Sequence, residues 1–403
     1  MLGVDGVSLA ELAEEHGTPA YIYSRAAIEE QWQSYEQALQ SRPHLICYAV
    51  KANSNLSILS CLAKLGSGFD IVSVGELERV LRAGGEAKKI VFSGVGKRAE
   101  EMRRALEVGI RCFNVESAAE LQRLDSVAAE MDRLAPVSLR VNPDVDAATH
   151  PYISTGLREN KFGIPFEEAL EVYQQAKGMK NIQVCGIDCH IGSQITNVEP
   201  YVDALVKIKE LVSALADAGI RLQHIDVGGG LGIRYQDESP PAPAELIQAM
   251  FEVIEDQDIE IMMEPGRSIV GNSAVLLTQV EYLKHNGGHD FAIVDAAMND
   301  LLRPALYDAE LDIKPINEAG EGKQAIYDVV GPVCESADFL GLQRSLCLQQ
   351  GDLLAVMSAG AYSFSMSSNY NSRPRPVEIL VEEAGSRVIR QRESIESLMM
   401  GEF

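Results

Sequence analysis

Between about residue 25 and residue 270, short runs of β-prone apolar residues alternate with longer stretches whose apolar positions recur three and four residues apart. The short runs are LICYAV (45–50), FDIV (69–72), KIVFSG (89–94), RCFNV (111–115), VSLRV (137–141), VCGIDCH (184–190), QHIDV (223–227) and EIMME (260–264). Between them, SVGELERVLRAGG sets Leu77, Val80 and Leu81 on one helical face. YVDALVKIKELVSALADAG does the same with Val202, Leu205, Val206, Ile208, Leu211, Val212 and Leu215. Eight strands interleaved with helices imply a parallel sheet, and the count predicts closure into a (β/α)8 TIM-like barrel over residues 25–270.

After residue 270 the runs AVLLTQVEYL (274–283), DFAIVDA (290–296), AIYDVV (325–330), DLLAVM (352–357) and PVEILVEE (376–383) follow one another between turn residues, with no long helical pattern in between. They predict a second, mostly antiparallel β domain over residues 271–403, joined by residues 1–24, where PAYIY is a further strand candidate. The fold class is therefore α/β, a barrel followed by a β domain.

Composition narrows the function classes. The chain has 403 residues, with 35 Lys and Arg against 59 Asp and Glu, a formal charge of −24. Such a balance argues against nucleic acid and anionic membrane as partners. No apolar run approaches the roughly 18 to 20 residues of a spanning helix, and MLGVDGVSLAELAEEH is too acidic for a signal peptide, so a soluble cytoplasmic protein is expected. The seven cysteines are scattered without a CxxC and read as reduced thiols. CGIDCH invites a metal reading, but strict strand alternation puts Cys185, Ile187 and Cys189 on one face and Asp188 and His190 on the other, so no metal site is expected.

Active sites of such barrels lie at the C-terminal strand ends. There the chain carries Lys51, Asp70, His190, the run Gly228 to Gly232, and Glu264 with Arg267. GGGLG is not a dinucleotide fingerprint, because Ile233 stands at the third glycine position and the motif comes late in the chain. Glycines after a strand still let backbone N–H groups approach a phosphate. Pyridoxal phosphate needs such donors, a lysine for a Schiff base, an anion beside its pyridine nitrogen and packing for its ring. Lys51, the glycines with Ser193, Glu264 and His190 meet those needs in turn, and burial with nearby positive groups is expected to make the Lys51 amine nucleophilic.

The motifs YAVKAN, FDIVSVGELERVLRAG, NKFG, CHIGSQ, HIDVGGGLG, EPGR, MNDLLRPALY, GPVCESADFLG and AGAYSFSMSSNYNSRPRP are similar, over nearly the whole chain, to those of the diaminopimelate decarboxylase family within the barrel-type pyridoxal phosphate decarboxylases. The resemblance implies that Lys51 holds the cofactor, that His190 stacks on its ring and that Glu264 meets the ring nitrogen. Asp70, Ser193, Gly229, Gly230, Gly266, Arg267 and Tyr362 complete the cofactor shell. It also implies a homodimer with shared sites, in which Cys334, the proton donor, and Glu335 reach the cofactor of the other chain. The implied reaction is decarboxylation of meso-2,6-diaminopimelate to L-lysine, the last step of lysine biosynthesis.

Substrate choice follows from charge. The distal end of diaminopimelate carries a carboxylate and an amine. Arg303, with Tyr307 four residues on and Arg267 nearby, suits the carboxylate, since a guanidinium fork binds it bidentately. Glu335 suits the amine, and Tyr362 is a further substrate contact. Decarboxylation of arginine, ornithine or carboxynorspermidine on the same fold is the alternative, disfavoured by Arg303, Tyr307 and YNSRPRP. A silent cofactor-binding homologue is disfavoured by Lys51 and Cys334, and a metal-dependent barrel hydrolase by the lack of a ligand cluster. Glu310-Leu311 departs from the aromatic and histidine that relatives often carry there.

Overall fold

The eight runs become β1 (His44–Ala49), β2 (Gly68–Ile71), β3 (Ile90–Phe92), β4 (Cys112–Val115), β5 (Ala135–Asn142), β6 (Ile182–Asp188), β7 (His224–Asp226) and β8 (Glu260–Met263). All pair in parallel in chain order, and β8 closes on β1 through Ile261 with His44, Met262 with Leu45 and Met263 with Ile46. The fold is thus the expected closed barrel with a separate, mostly antiparallel β unit. The computed structural model describes residues 2–146, 156, 160–316, 322–383 and 385–403. Among these, no helix is long and apolar enough to cross a membrane.

Strand gives way to helix by local chemistry. Asn55, Ser73 and Ser117 cap the helices Leu56–Lys64, Val74–Arg82 and Ala118–Glu130, each side-chain oxygen accepting a backbone N–H of the first turn. In the helix Glu199–Asp217, Leu205, Ile208, Leu211 and Leu215 are buried as the spacing predicts, while Val206, one position around the helix from Leu205, is left in solvent.

The barrel interior changes character along its axis. Cys47, Val91, Cys112, Cys185 and Met262 form an apolar cluster with Leu45. Two residues further along three of these strands stand Ser93, Asn114 and Glu264, and with Asp70, Arg140, Asp188 and Asp226 they are buried polar groups. The pairing of β6 with β5 slips by one residue between Val184 and Gly186. This bulge overturns the alternation expected for CGIDCH, because Cys185 joins the apolar cluster while Asp188 stands beside Asp226 and Glu264.

Two compact units are present, one of Glu29–Ile233 with Ser239–Ser268 and the other of Met1–Ile28, Arg234–Glu238 and Ile269–Phe403. In the second, the strand Ala20–Ser24 from PAYIY pairs antiparallel with Ala274–Asn286 and parallel with Val377–Glu382. Its core gathers Leu9, Leu12, Ile22, Val275, Leu277 and Ile379. The strands Phe339–Leu348 and Gly385–Arg390 were not foreseen, nor were the short Gly3–Val4, Val7–Ser8 and Ile313–Pro315. The first pairs with Lys323–Val330 through two register shifts and leaves the neighbours Leu342 and Gln343 both exposed, so it has no clean period of two. Leu311, at the departure from the family pattern, is fully buried in this unit, so the change is absorbed by apolar packing.

Candidate active site

Lys51 follows β1 in a single turn of 3-10 helix, Val50–Ala52, whose flanking residues are buried. The turn holds the side chain at the strand end with 37% of its surface exposed, and Nζ lies 2.5 Å from Oδ2 of the buried Asp70 at the end of β2. The positive neighbourhood expected for this lysine is replaced by an anion at contact distance, which holds the amine in place.

His190 comes two residues after β6. The backbone N–H of Gly229 donates to its Nδ1 at 3.1 Å, so the hydrogen of the neutral ring sits on Nε2. Burial first, then Arg140 and Lys51, hold its pKa well below the usual imidazole range. The glycine run is a requirement of close approach. Gly228 and Gly230 have φ of 68° and 102°, and a Cβ on Gly228 would stand 2.7 Å from His190 Nδ1. On Gly230 it would meet the carbonyl of Gly192 at 2.3 Å.

Glu264 follows β8, with its N–H donating to the Gly228 carbonyl at 2.8 Å. Its Oε1 accepts from Asn114 Nδ2 at 3.1 Å and Ser93 Oγ at 3.3 Å. Burial raises its pKa well above the ordinary range, and the neighbouring Asp226, Asp70 and Asp188 act in the same direction. At Gly266 a Cβ would lie 3.0 Å from that of Ala49 and 3.1 Å from that of Ala52, so a larger residue would crowd the turn carrying Lys51. Arg267 donates to Ser193 Oγ at 3.0 Å. Lys51, Asp70, His190, Ser193, Gly229, Gly230, Glu264, Gly266 and Arg267 all belong to the barrel unit.

This arrangement fits pyridoxal phosphate. A primary amine, a neutral ring, a buried carboxylate and a glycine cradle that any Cβ would fill are what the cofactor's aldehyde, ring face, ring nitrogen and phosphate require. Sequence reasoning missed the residues behind these groups. Arg140 donates to Glu116 at 3.0 Å, lies 4.0 Å from Asp188 and stacks over Phe162 of NKFG at 4.8 Å. Glu116 also accepts the Gly163 N–H at 2.8 Å, which ties that motif to the end of β4.

Arg303, Tyr307, Cys334, Glu335 and Tyr362 belong to the β-rich unit. Arg303 opens the helix Arg303–Tyr307, is buried, and lies over the ring of Tyr235 at 4.5 Å. Tyr307 is half-buried and Tyr362 has φ of 54°, an uncommon backbone for an aromatic residue. Cys334 is exposed, and its N–H donates to Asn371 Oδ1 at 2.9 Å. Glu335 accepts from Tyr370 Oη at 3.3 Å. The arginines of YNSRPRP act as braces. Arg373 donates to Asn299 Oδ1 at 3.0 Å, and Arg375 pairs with Glu393 at 3.0 Å.

Among the described residues, two buried groups bring donor atoms within 4.8 Å of one another: Cys112 with Cys185 and His224, and Asp188 with Asp226 and Glu264. The convergence ruled out for CGIDCH therefore does occur at Cys185, with partners from β4 and β7 rather than from Cys189 or His190. Its thiol donates to the Val137 carbonyl at 3.1 Å. The contact with Cys185 and then burial push the Cys112 thiol up, and burial takes His224 down to about 3, so the Cys112 thiol and the His224 ring are neutral and pack as core.

Residues 25–271 match the family described as "Pyridoxal-dependent decarboxylase, pyridoxal binding domain", the class that the barrel and its lysine site define. A Pseudomonas aeruginosa diaminopimelate decarboxylase is 58% identical over 100% of this chain and 96% of its own length, and one from Vibrio cholerae is 57% identical over 98% and 95%. A crystal structure of Helicobacter pylori diaminopimelate decarboxylase complexed with L-lysine superposes with a TM-score of 0.93 at 46% identity, covering 97% of this chain and 98% of that one. The chain belongs to the diaminopimelate decarboxylase family. A Vibrio vulnificus lysine/ornithine decarboxylase, with a TM-score of 0.82 at 23% identity over 93% of this chain and 98% of that one, shares the fold.

Proposed function

We propose that the chain is a pyridoxal phosphate-dependent carboxy-lyase that converts meso-2,6-diaminopimelate to L-lysine and CO2, working in the cytoplasm as a homodimer. The observation that carries the reading is 58% identity over the full chain with a diaminopimelate decarboxylase, in a barrel where Lys51, His190 and Glu264 stand at three strand ends. Bound there, the cofactor supplies an electron sink for the pair released when the bond to the substrate carboxylate breaks.

The chain's own residues do the rest. Lys51 Nζ, oriented by Asp70, would hold the cofactor at the end of β1. His190 would pack on its ring as a neutral imidazole, and Glu264 would hold the proton at the ring nitrogen. Gly229, Gly230, Ser193, Gly266 and Arg267 hold the phosphate, with Tyr362 a further contact to cofactor and substrate. Cys334, supplied by the second copy, returns a proton to the α-carbon, and Glu335 beside it binds the distal amine. Arg303, set by Tyr235, binds the distal carboxylate with Tyr307 and Arg267. A buried guanidinium facing a substrate that ends in an amine alone would be left unmatched, which favours diaminopimelate over ornithine.

Hydride reduction followed by peptide mapping tests the cofactor assignment, with a pyridoxyl group expected on Lys51. CO2 release from meso-diaminopimelate, arginine and ornithine tests the substrate, and turnover of ornithine alone would refute the specificity argument. Mixing Lys51→Ala with Cys334→Ala chains tests the shared site, since a heterodimer should recover part of the activity that neither parent has.

A further inference from the structure

The polar layer of the barrel holds Asp70, Asp188, Asp226 and Glu264, all buried, with Glu116 at its edge. Two cations stand among them. Lys51 lies 2.5 Å from Asp70, and Arg140 lies 3.0 Å from Glu116 and 4.0 Å from Asp188. Asp226 and Glu264 have neutral hydrogen-bond donors instead. The Gly228 N–H donates to Asp226 Oδ1 at 2.9 Å, while Asn114 and Ser93 donate to Glu264 Oε1. Oxygens of Asp188, Asp226 and Glu264 lie within 4.8 Å of one another, and Asp226 Oδ2 is buried without a donor.

Adjacent buried carboxylates that receive only neutral donors cannot all ionise, so a proton is retained among them. We infer that Asp226 and Glu264 hold one proton between them, carried on Asp226 Oδ2 and donated to Glu264, which stays a carboxylate with a lone pair left for the cofactor's ring nitrogen. The proton satisfies the orphaned oxygen of the pair, whereas Asp70 Oδ1 and Asp188 Oδ1, likewise without a donor, belong to carboxylates faced by Lys51 and Arg140; it leaves the pair with a single negative charge to match a single protonated ring nitrogen. Asp226 is a positioning residue that acts through Glu264. The inference rests on the proposed role of Glu264.

Both pKa directions favour a proton retained by the pair, and it is the orphaned Oδ2 that assigns it to Asp226. Burial raises Asp226 to about 6, with Asp70 acting in the same direction, against the Gly228 N–H and the contacts with Glu264 and Asn114. Glu264 is raised by burial, then by Asp226, Asp70 and Asp188, with Lys51 opposing. The other titratable or charged groups around the pair are Arg140 from β5 and the thiols of Cys47, Cys112 and Cys189 from β1, β4 and the end of β6.

Infrared difference spectroscopy on the full chain, freed of cofactor, tests the proton directly. The parent-minus-Asp226→Asn difference at neutral pH is expected to show one carbonyl stretch of a protonated carboxylic acid, the bands of other raised carboxyls such as Glu76 and Asp300 cancelling. Its absence from that difference, or its appearance only in the parent-minus-Glu264→Gln difference, would overturn the assignment. Reconstitution with pyridoxal phosphate gives the second readout. Asp226→Asn keeps a donor facing Glu264 and should hold affinity within about threefold, while the pH dependence of cofactor absorbance differs from that of the parent because the pair has lost its titrating proton. Asp226→Ala lacks the donor and should lose at least about tenfold. Equal affinities for the two variants, or an unchanged pH profile in Asp226→Asn, would count against the pair. A chain that shows the carbonyl band and loses it in Asp226→Asn, yet binds no cofactor, would refute the functional reading and leave the shared proton standing.

Discussion

The backbone of Gly229 runs so close to the carbonyl of Glu264 that a Cβ on Gly229 would stand 2.1 Å from that oxygen. The glycine cradle and the carboxylate are therefore held in one rigid contact between the ends of β7 and β8. Gly229→Ala is expected to lower stability by about 2 kcal/mol or more, since backbone has to move to admit the methyl group. Gly178, the last residue of the helix Phe166–Gly178, has nothing within 4 Å of its Cβ position. Gly178→Ala should change stability by less than about 1 kcal/mol, in the stabilising direction. Urea unfolding followed by circular dichroism compares them, and equal losses would show that crowding at Gly229 is not the cause.

The hydrogen bond from Gly229 to His190 Nδ1 fixes a neutral ring, and burial reinforces it. Nitrogen-15 NMR should show Nδ1 unprotonated from about pH 8 down to about pH 5.5, a range that spans the ordinary imidazole pKa of about 6.5. Because the folded-state pKa lies below the unfolded value, the unfolded chain binds the proton first, and stability falls as pH drops below about 6.5. His190→Gln should make that fall shallower. A ring that titrates near its ordinary pKa would contradict both statements.

The barrel was legible because strands buried on both faces read as apolar runs, and its chemistry because Lys51, Asp70, His190 and Glu264 interrupt those runs at their C-terminal ends. Asp226 and Asn114 lie inside runs already counted as strands, where a polar residue passes for an alternation mismatch. The signal was available, since a carboxylate in a strand covered on both faces needs a reason to be there. The bulge at Cys185 left no trace in the spacing, because its evidence is a pairing between β5 and β6 rather than a pattern within β6. Tyr235 under Arg303 is likewise a contact between distant segments, invisible to any local reading. The RPRP motif pointed to the right family, although its arginines turn out to brace the loops rather than stand as free charges.

Asn371 holds the Cys334 N–H through its side-chain oxygen, and its own backbone is left-handed with φ of 56°. Asn371→Gly keeps that conformation without strain and deletes the acceptor, so it isolates the hydrogen bond. Stability should drop by about 1 kcal/mol, while kcat falls by about tenfold with KM little changed, because the thiol's presentation is loosened and substrate binding is not. Asn371→Ala should cost about 1 kcal/mol more through the unfavourable φ. If Asn371→Gly leaves kcat at the parent value, Asn371 does not position the proton donor proposed at Cys334.

Glu76 accepts the Val72 N–H at 2.7 Å in the first turn of the helix that follows β2. Burial is the largest influence on it and raises its pKa to about 7, against the Val72 hydrogen bond, Lys51 and Arg79, with Asp70 adding to the rise. A carboxyl whose pKa is raised by folding is bound to its proton more tightly in the folded chain. Its contribution to stability is present below about 4.5 and is lost as pH rises through about 7. At pH 8 the folded protein therefore carries a poorly solvated charge that Glu76→Gln removes, while the amide oxygen can still accept from Val72. The variant should be more stable than the parent by about 1 to 2 kcal/mol near pH 8 and indistinguishable from it near pH 5. Thermal unfolding at the two pH values measures the difference. A variant less stable at pH 8, or shifted equally at both, would show that the helix N-terminus solvates the Glu76 charge well enough to cancel the effect of burial.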